Sequence, residues 1–111
     1  MIRKAILALL AAATASAAAP PPARLAAPAP VVHIANFRFG PQTLTVAAGT
    51  IVTFVNDDEE PHNVTAADHS YRSPILPPGA RYAHQYAAPG DYPYFCALHP
   101  HMTGHIVVTG R

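Results

Sequence analysis

The chain has few charged residues, one cysteine and no tryptophan. Only 12% of its 111 residues are charged, and seven Lys+Arg nearly balance six Asp+Glu. Because lysine and arginine are sparse and unclustered, the chain lacks the basic surface of a nucleic-acid-binding protein. The single cysteine, Cys96, excludes an internal disulfide. In an oxidising compartment such a thiol needs protection by burial, by pairing with another chain or by a metal.

The first 17 residues have the three-part pattern of a secretory signal peptide. Residues 1–4 are cationic, residues 5–13 are apolar and residues 14–17 end in an A-x-A pattern, which favours cleavage after Ala17. The apolar run is shorter than the ~20 residues of a membrane span. We therefore predict export to the periplasm without a membrane anchor in the mature form; an uncleaved interfacial anchor is the alternative. Cleavage would leave five arginines and six acids, which changes the formal net charge from +1 to −1.

Residues 18–30 are rich in alanine and proline, and Leu25 is their only large apolar residue. Proline disfavours helix, so we expect a disordered, extended linker. The remaining residues, 31–111, are predicted to form one domain.

Helical periodicity is also missing, and from residue 31 onward short alternating runs are separated by glycine and proline turns. Residues 50–56 are the clearest strand because β-branched and aromatic side chains dominate them. A first strand through Val32, Ile34, Phe37 and Phe39 needs a bulge or a slip in register near Asn36. Further strands are expected at 42–46, 62–66, 81–86, 92–96 and 104–109. The pattern predicts an all-β fold, an antiparallel Greek-key β-sandwich.

The C-terminal third carries three metal-binding side chains in a short segment. Cys96, His99 and Met102 follow one another at three-residue steps, which within a turn can bring them to one side. Thiolate, imidazole and thioether together suit copper better than zinc, magnesium or calcium. A fourth ligand has to come from elsewhere in the chain, and His62 is the candidate. These four residues predict a site for one copper ion.

These motifs resemble those of the cupredoxins, the type 1 blue copper proteins, most closely the amicyanin and pseudoazurin–plastocyanin branch. The resemblance spans about residues 31–110 and is carried by Pro61-His62-Asn63-Val64, by residues 90–96, by the spacing Cys96-x-x-His99-x-x-Met102-x-Gly104 and by residues 105–108. It implies a cupredoxin-like sandwich around one type 1 copper ion. In that reading His62, Cys96 and His99 are the strong ligands and Met102 is the weak axial ligand.

Three neighbours of the ligands are expected to support the site. Asn63 resembles the family asparagine whose side chain ties the two ligand loops together; an ordinary turn asparagine is the alternative. Leu98 stands where several relatives carry proline. It keeps an N–H that could donate to the Cys96 sulfur, so Leu98→Pro is expected to lower the reduction potential. Pro100 has no N–H and restricts the loop after His99.

Other polar and aromatic residues have less specific interpretations. Tyr92 and Tyr94 are expected in the core rather than as electron relays. His101 is expected to be a surface histidine, with a secondary metal contact as the alternative. The acidic residues 57–60 form either a solvated loop or a surface that steers a cationic partner. The remaining histidines have no ligand spacing and are expected to be structural: His33, His69, His84 and His105.

The resemblance implies a periplasmic carrier of single electrons. We expect a monomer whose partner is a redox protein such as a c-type cytochrome or a periplasmic dehydrogenase. An enzyme is not expected, because catalytic copper needs an open position or a second metal centre, and a binuclear centre of the oxidase type needs two cysteines. Two alternatives stay open at this point. One is a periplasmic protein for copper buffering, delivery or tolerance, and the other is a structural zinc module.

Overall fold

The computed structural model describes residues 29–110. The predicted signal peptide, nearly all of the predicted linker and Arg111 lie outside the described residues. The described part contains eight strands and no helix, and therefore no helix that could cross a membrane. The strands are β1 (Val31–Ala35), β2 (Arg38–Gly40), β3 (Thr43–Ala47), β4 (Thr50–Asn56), β5 (Thr65–Ala66), β6 (Arg81–Tyr86), β7 (Gly90–Cys96) and β8 (His99–Thr109).

The strands form two four-stranded sheets, with the orders β2-β1-β4-β6 and β3-β8-β7-β5. The predicted all-β sandwich is confirmed. The sheets are mixed rather than purely antiparallel, because β1 pairs with β4 and β3 pairs with β8 in parallel. Each parallel pair joins strands that are separated by a passage through the other sheet. Parallel neighbours need a crossover connection of this kind, because a tight hairpin can join only antiparallel strands.

A tight hairpin replaces the bulge that was predicted near Asn36. Ala35 pairs with Arg38, so Asn36 and Phe37 are a two-residue turn between β1 and β2. Both have positive φ angles, 52° and 56°, as a type I′ turn requires. Asparagine adopts this conformation readily, whereas an aromatic residue rarely does. The prediction of one bulged strand was wrong because the alternation alone does not reveal a turn that carries phenylalanine.

The ligand-bearing segment is a bulged hairpin rather than the open loop expected between β7 and a strand at 104–109. Cys96 pairs with His99 across the turn, and Phe95 pairs with Thr103, which leaves residues 100–102 as a bulge in β8. The last strand therefore begins five residues earlier than predicted. The strand expected at 62–66 is reduced to β5, and His62 instead forms an isolated bridge with Leu76.

The core lies between the sheets and includes Tyr94, as predicted. Its side chain is 1% exposed, and its ring packs edge-on against Phe39 and Phe54 at centroid distances of 4.7 and 5.3 Å. Within residues 29–110, the buried Tyr94 hydroxyl has no hydrogen-bond partner. Burial also raises the pKa of this phenol above its ordinary value.

Tyr94→Phe is expected to increase the free energy of unfolding by about 1 kcal/mol. A buried hydroxyl without a partner lowers stability, and phenylalanine keeps the same ring packing. The matched control is Tyr86→Phe, since the Tyr86 hydroxyl is 2.6 Å from the Tyr71 hydroxyl and its loss should destabilise the fold by a similar amount. Urea unfolding measures both variants. Equal losses of stability would show that the Tyr94 hydroxyl has a partner.

Candidate metal centre

Three of the predicted ligands converge at one end of the sandwich. One donor atom from each of His62, Cys96 and His99 lies within 4.8 Å of the other two. The Cys96 Sγ is 3.8 Å from the Nδ1 atoms of both histidines. His62 and Cys96 are fully buried, and His99 is half-buried. The site therefore lies under the surface, with one imidazole reaching outward.

The fold brings these donors together from distant parts of the chain. Cys96 ends β7 and His99 begins β8, so their short separation follows from the hairpin. His62 lies 34 residues before Cys96 and is fixed by two backbone hydrogen bonds with Leu76, of 3.2 and 2.7 Å. Met102, the fourth predicted ligand, is in the bulge of β8 and is 2% exposed. The bulge thus places a buried thioether on the hairpin that carries two of the donors.

The donor set fits one copper ion. Two imidazoles, a thiolate and a buried thioether combine borderline and soft donors, which copper accepts in both of its common oxidation states. A structural zinc site usually has four cysteine or histidine ligands, and in the described part of the chain only three such residues meet here.

The Cys96 sulfur accepts a backbone hydrogen bond, although the donor is not the predicted one. The N–H of Asn63 lies 3.4 Å from Sγ. Leu98 is in the two-residue turn and its side chain is 43% exposed; among the described residues its N–H makes no such bond. The hydrogen-bond argument for a lower potential in Leu98→Pro therefore does not hold.

The Asn63 side chain links the two segments that carry the donors. Its Oδ1 accepts hydrogen bonds from the Ala97 N–H at 2.7 Å and from the Thr65 hydroxyl at 3.4 Å. Asn63 is 1% exposed. With its backbone N–H on the Cys96 sulfur and its side chain on the next residue, Asn63 fixes the position of His62 relative to the hairpin.

Asp58 contacts the site, and sequence reasoning missed it within the acidic run. Its Oδ2 lies 2.9 Å from the Nε2 of His62 and also accepts the Phe37 N–H at 3.1 Å. The His62 hydrogen bond, followed by that from Phe37, holds the pKa of Asp58 below its ordinary value. When Nε2 donates to this carboxylate, Nδ1 keeps its lone pair for a metal. The four-residue spacing between Asp58 and His62 was the one feature of the sequence that indicated this contact.

Phe37 is the second residue that the sequence did not assign to the site. Its ring meets the rings of His62 and His99 edge-on, at centroid distances of 5.5 and 5.1 Å, and its side chain is 42% exposed. It therefore covers both imidazoles on the solvent side. The only signal in the sequence was an aromatic residue beside an asparagine at a turn.

The other histidines do not join the cluster. His101 is exposed, and its ring centroid is 6.4 Å from that of His99; Pro100 is exposed next to it. The four histidines expected to be structural have other neighbours. His33 contacts Asp57, His105 contacts Asp91, His69 contacts Phe95, and His84 packs against Tyr71 and Tyr86.

Comparison with known proteins identifies the family of this fold and site. Residues 4–108 match the Cupredoxin-like domain family. Amicyanin-alpha from Methylorubrum extorquens is 35% identical over 82 residues, which are 69% of this chain and 69% of that protein. Amicyanin from Paracoccus versutus is 32% identical over 91 residues, 78% of this chain and 69% of that protein. Plastocyanin from Chlamydomonas reinhardtii is 36% identical over 83 residues, 63% and 57% of the two chains.

Solved structures agree with the sequence comparisons. A purple cupredoxin from Nitrosopumilus maritimus superposes with a TM-score of 0.70 at 31% identity, covering 72% of this chain and 99% of that structure. An oxidized amicyanin variant gives a TM-score of 0.70 at 30% identity, covering 73% and 82%. The chain therefore belongs to the cupredoxin-like family.

Proposed function

We propose that this protein carries single electrons between redox proteins through one copper ion, and that it is not an enzyme. His62, Cys96 and His99 would be the strong ligands and Met102 the weak axial ligand. The convergence of the three donor atoms within 4.8 Å carries this proposal. When bound, the copper supplies a one-electron couple between Cu(I) and Cu(II).

The protein's own part in this function is to hold the donors in place. Cys96 is buried between two imidazoles and receives the Asn63 N–H, while Asp58 fixes the ring of His62. A donor set fixed in this way moves little between oxidation states, which lowers the reorganisation that accompanies electron transfer. The exposed side chains of Phe37 and Leu98 lie around the outward-reaching His99. This face is where a partner could approach most closely.

The proposed location is the periplasm, and the proposed partner is a c-type cytochrome or a periplasmic dehydrogenase that meets a monomer. Asp57, Glu59 and Glu60 are exposed beside Asp58, which is bonded to Phe37 on the partner-facing surface. Negative charge at this edge favours a partner with a basic rim. Electron-transfer rates with such a partner should fall as ionic strength rises, and rates independent of salt would contradict the steering role.

Asp58→Ala is expected to weaken copper binding about 10- to 100-fold, the usual effect of removing the partner of a metal-bound histidine. The substitution removes the acceptor for His62 Nε2 and for the Phe37 N–H together. Competition with a chelator of known affinity measures the change. Glu59→Ala is the matched control, because it removes the same charge from an exposed neighbour in the same run. Equal effects of the two variants would show that only net charge matters.

The test of the proposed function combines a spectrum with two rates. Copper-loaded protein should show an intense visible thiolate-to-copper band, rapid electron self-exchange and slow loss of copper to a chelator. A pale spectrum would remove the type 1 assignment. A coloured site with weak copper affinity, ready copper transfer and slow self-exchange would instead assign the protein to copper buffering or delivery.

A further inference from the structure

A cleft of about 320 Å³ opens at the surface beside Met102. Its inner wall is apolar and includes the buried side chains of Phe39 and Met102, with Phe37 at one side. Its outer wall is polar and includes Arg38, Gln42 and Thr103, which are exposed. The volume is within the range of small-molecule sites, about 300–1,000 Å³.

The cleft exists because one edge of β8 lacks a neighbouring strand there. The pairing of β3 with β8 begins at Thr43 and His105, and the His105 N–H bonds to the Gln42 carbonyl at 2.8 Å. Successive N–H groups of a strand alternate between its two edges, so the Thr103 N–H is directed to the same edge as that of His105. Because the β3 pairing begins only at His105, no strand among the described residues pairs with the Thr103 N–H on this edge.

Among the side chains that line the cleft, Arg38 is the only one with a permanent charge. Arg38 makes no ion pair within residues 29–110, and no acidic residue lines the cleft. The Gln42 amide and the Thr103 hydroxyl add further possible donors. A guanidinium in the same cleft as a backbone N–H without a strand partner is suited to a carboxylate, which accepts several charge-assisted hydrogen bonds at once.

We propose that this cleft binds a carboxylate with an apolar body. Arg38 and the Thr103 N–H hold the carboxylate, and the apolar body lies against the wall formed by Phe39 and Met102. The proposal rests on the cleft itself and does not require the proposed electron-carrier function. Its ligand is either a free aromatic or aliphatic acid or an acidic side chain of another protein.

The test is an NMR titration of the copper-loaded protein in its reduced, diamagnetic state. Benzoate should shift amide signals around Thr103 and Arg38, whereas benzamide, which has the same shape without the charge, should not. Arg38→Gln should weaken benzoate binding about tenfold or more, the effect expected from loss of one charged hydrogen-bonding partner. Arg81→Gln removes the same charge from a strand at the far side of its sheet and should leave the affinity within about twofold.

Several outcomes would overturn the proposal. If benzamide binds as tightly as benzoate, the cleft does not recognise the carboxylate. If both arginine variants lose the same affinity for benzoate, only the net charge of the protein matters. Arg38→Lys keeps the positive charge but loses the planar, bidentate guanidinium, so it should bind benzoate better than Arg38→Gln and less tightly than the wild type. A blocked phenylalanyl-glutamate dipeptide, titrated in the same way, distinguishes the two sources. Tighter binding of the dipeptide points to a protein side chain, and tighter binding of benzoate points to a free acid.

Discussion

Cys96→Ser is expected to abolish the intense visible band of the copper-loaded protein and to weaken copper binding more than about 100-fold. Cys96 is the only thiol in the chain and the only donor in the cluster that becomes an anion. Serine stays neutral near pH 7 and offers a harder oxygen, which suits Cu(I) poorly. Losing a residue that only orients a ligand costs about 10- to 100-fold, so losing the ligand itself should cost more. Visible absorption and competition with a chelator measure the two effects.

The fold of this variant should persist, which makes the result interpretable. Serine is nearly isosteric with cysteine, and the Asn63 N–H can donate to its hydroxyl. Copper-free wild type and variant should therefore unfold within about 1 kcal/mol of each other. His101→Ala is a second control, because this exposed histidine is outside the cluster and its loss should leave the band unchanged. A band that survives Cys96→Ser would place the copper elsewhere.

The ligands and the linking residue Asn63 were predictable from the sequence, whereas Asp58 and Phe37 were not. Cys96, His99 and Met102 lie in one hairpin, so their spacing alone brings them near one another. Asp58 contacts His62 only four residues later, but a run of four acids does not show which of them will do so. Phe37 joins the site through its bond to Asp58, 21 residues later in the chain, which the sequence does not indicate. The Leu98 N–H was expected at the sulfur because it is close in sequence, but the tight turn leaves this role to Asn63.

The same division between local and non-local information applies to the fold. The alternation predicted most strands, since the period of two depends only on neighbouring residues. The parallel pairs β1–β4 and β3–β8 depend on how the chain crosses between sheets, which alternation does not specify. The early start of β8 depends on Cys96 pairing with His99, in a segment where proline and a bulge hide the strand pattern.

Gly104→Ala is expected to destabilise the fold by about 3 kcal/mol, the upper part of the usual range for overpacking a core. Gly104 belongs to the spacing motif that follows Met102, and it pairs with Tyr94 across β7 and β8. A Cβ at this position would overlap the Cζ and hydroxyl of Tyr94 and lie 2.9 Å from its Cε2. The ring cannot move away easily, because Phe39 and Phe54 pack against it. Urea unfolding of the copper-free protein measures the effect.

Gly110→Ala is the matched control, because a Cβ there meets no atom within 4 Å and should change stability by less than about 0.5 kcal/mol. A double-mutant cycle then isolates the cause. If the overlap with the ring is responsible, Gly104→Ala should cost much less in a Tyr94→Leu background, and the two substitutions should couple by about 1–3 kcal/mol. Additive effects would mean that the glycine is needed for its backbone rather than for the space it leaves. Gly104 would then be needed for the backbone conformation of β8 beside Met102 and not for the packing of Tyr94.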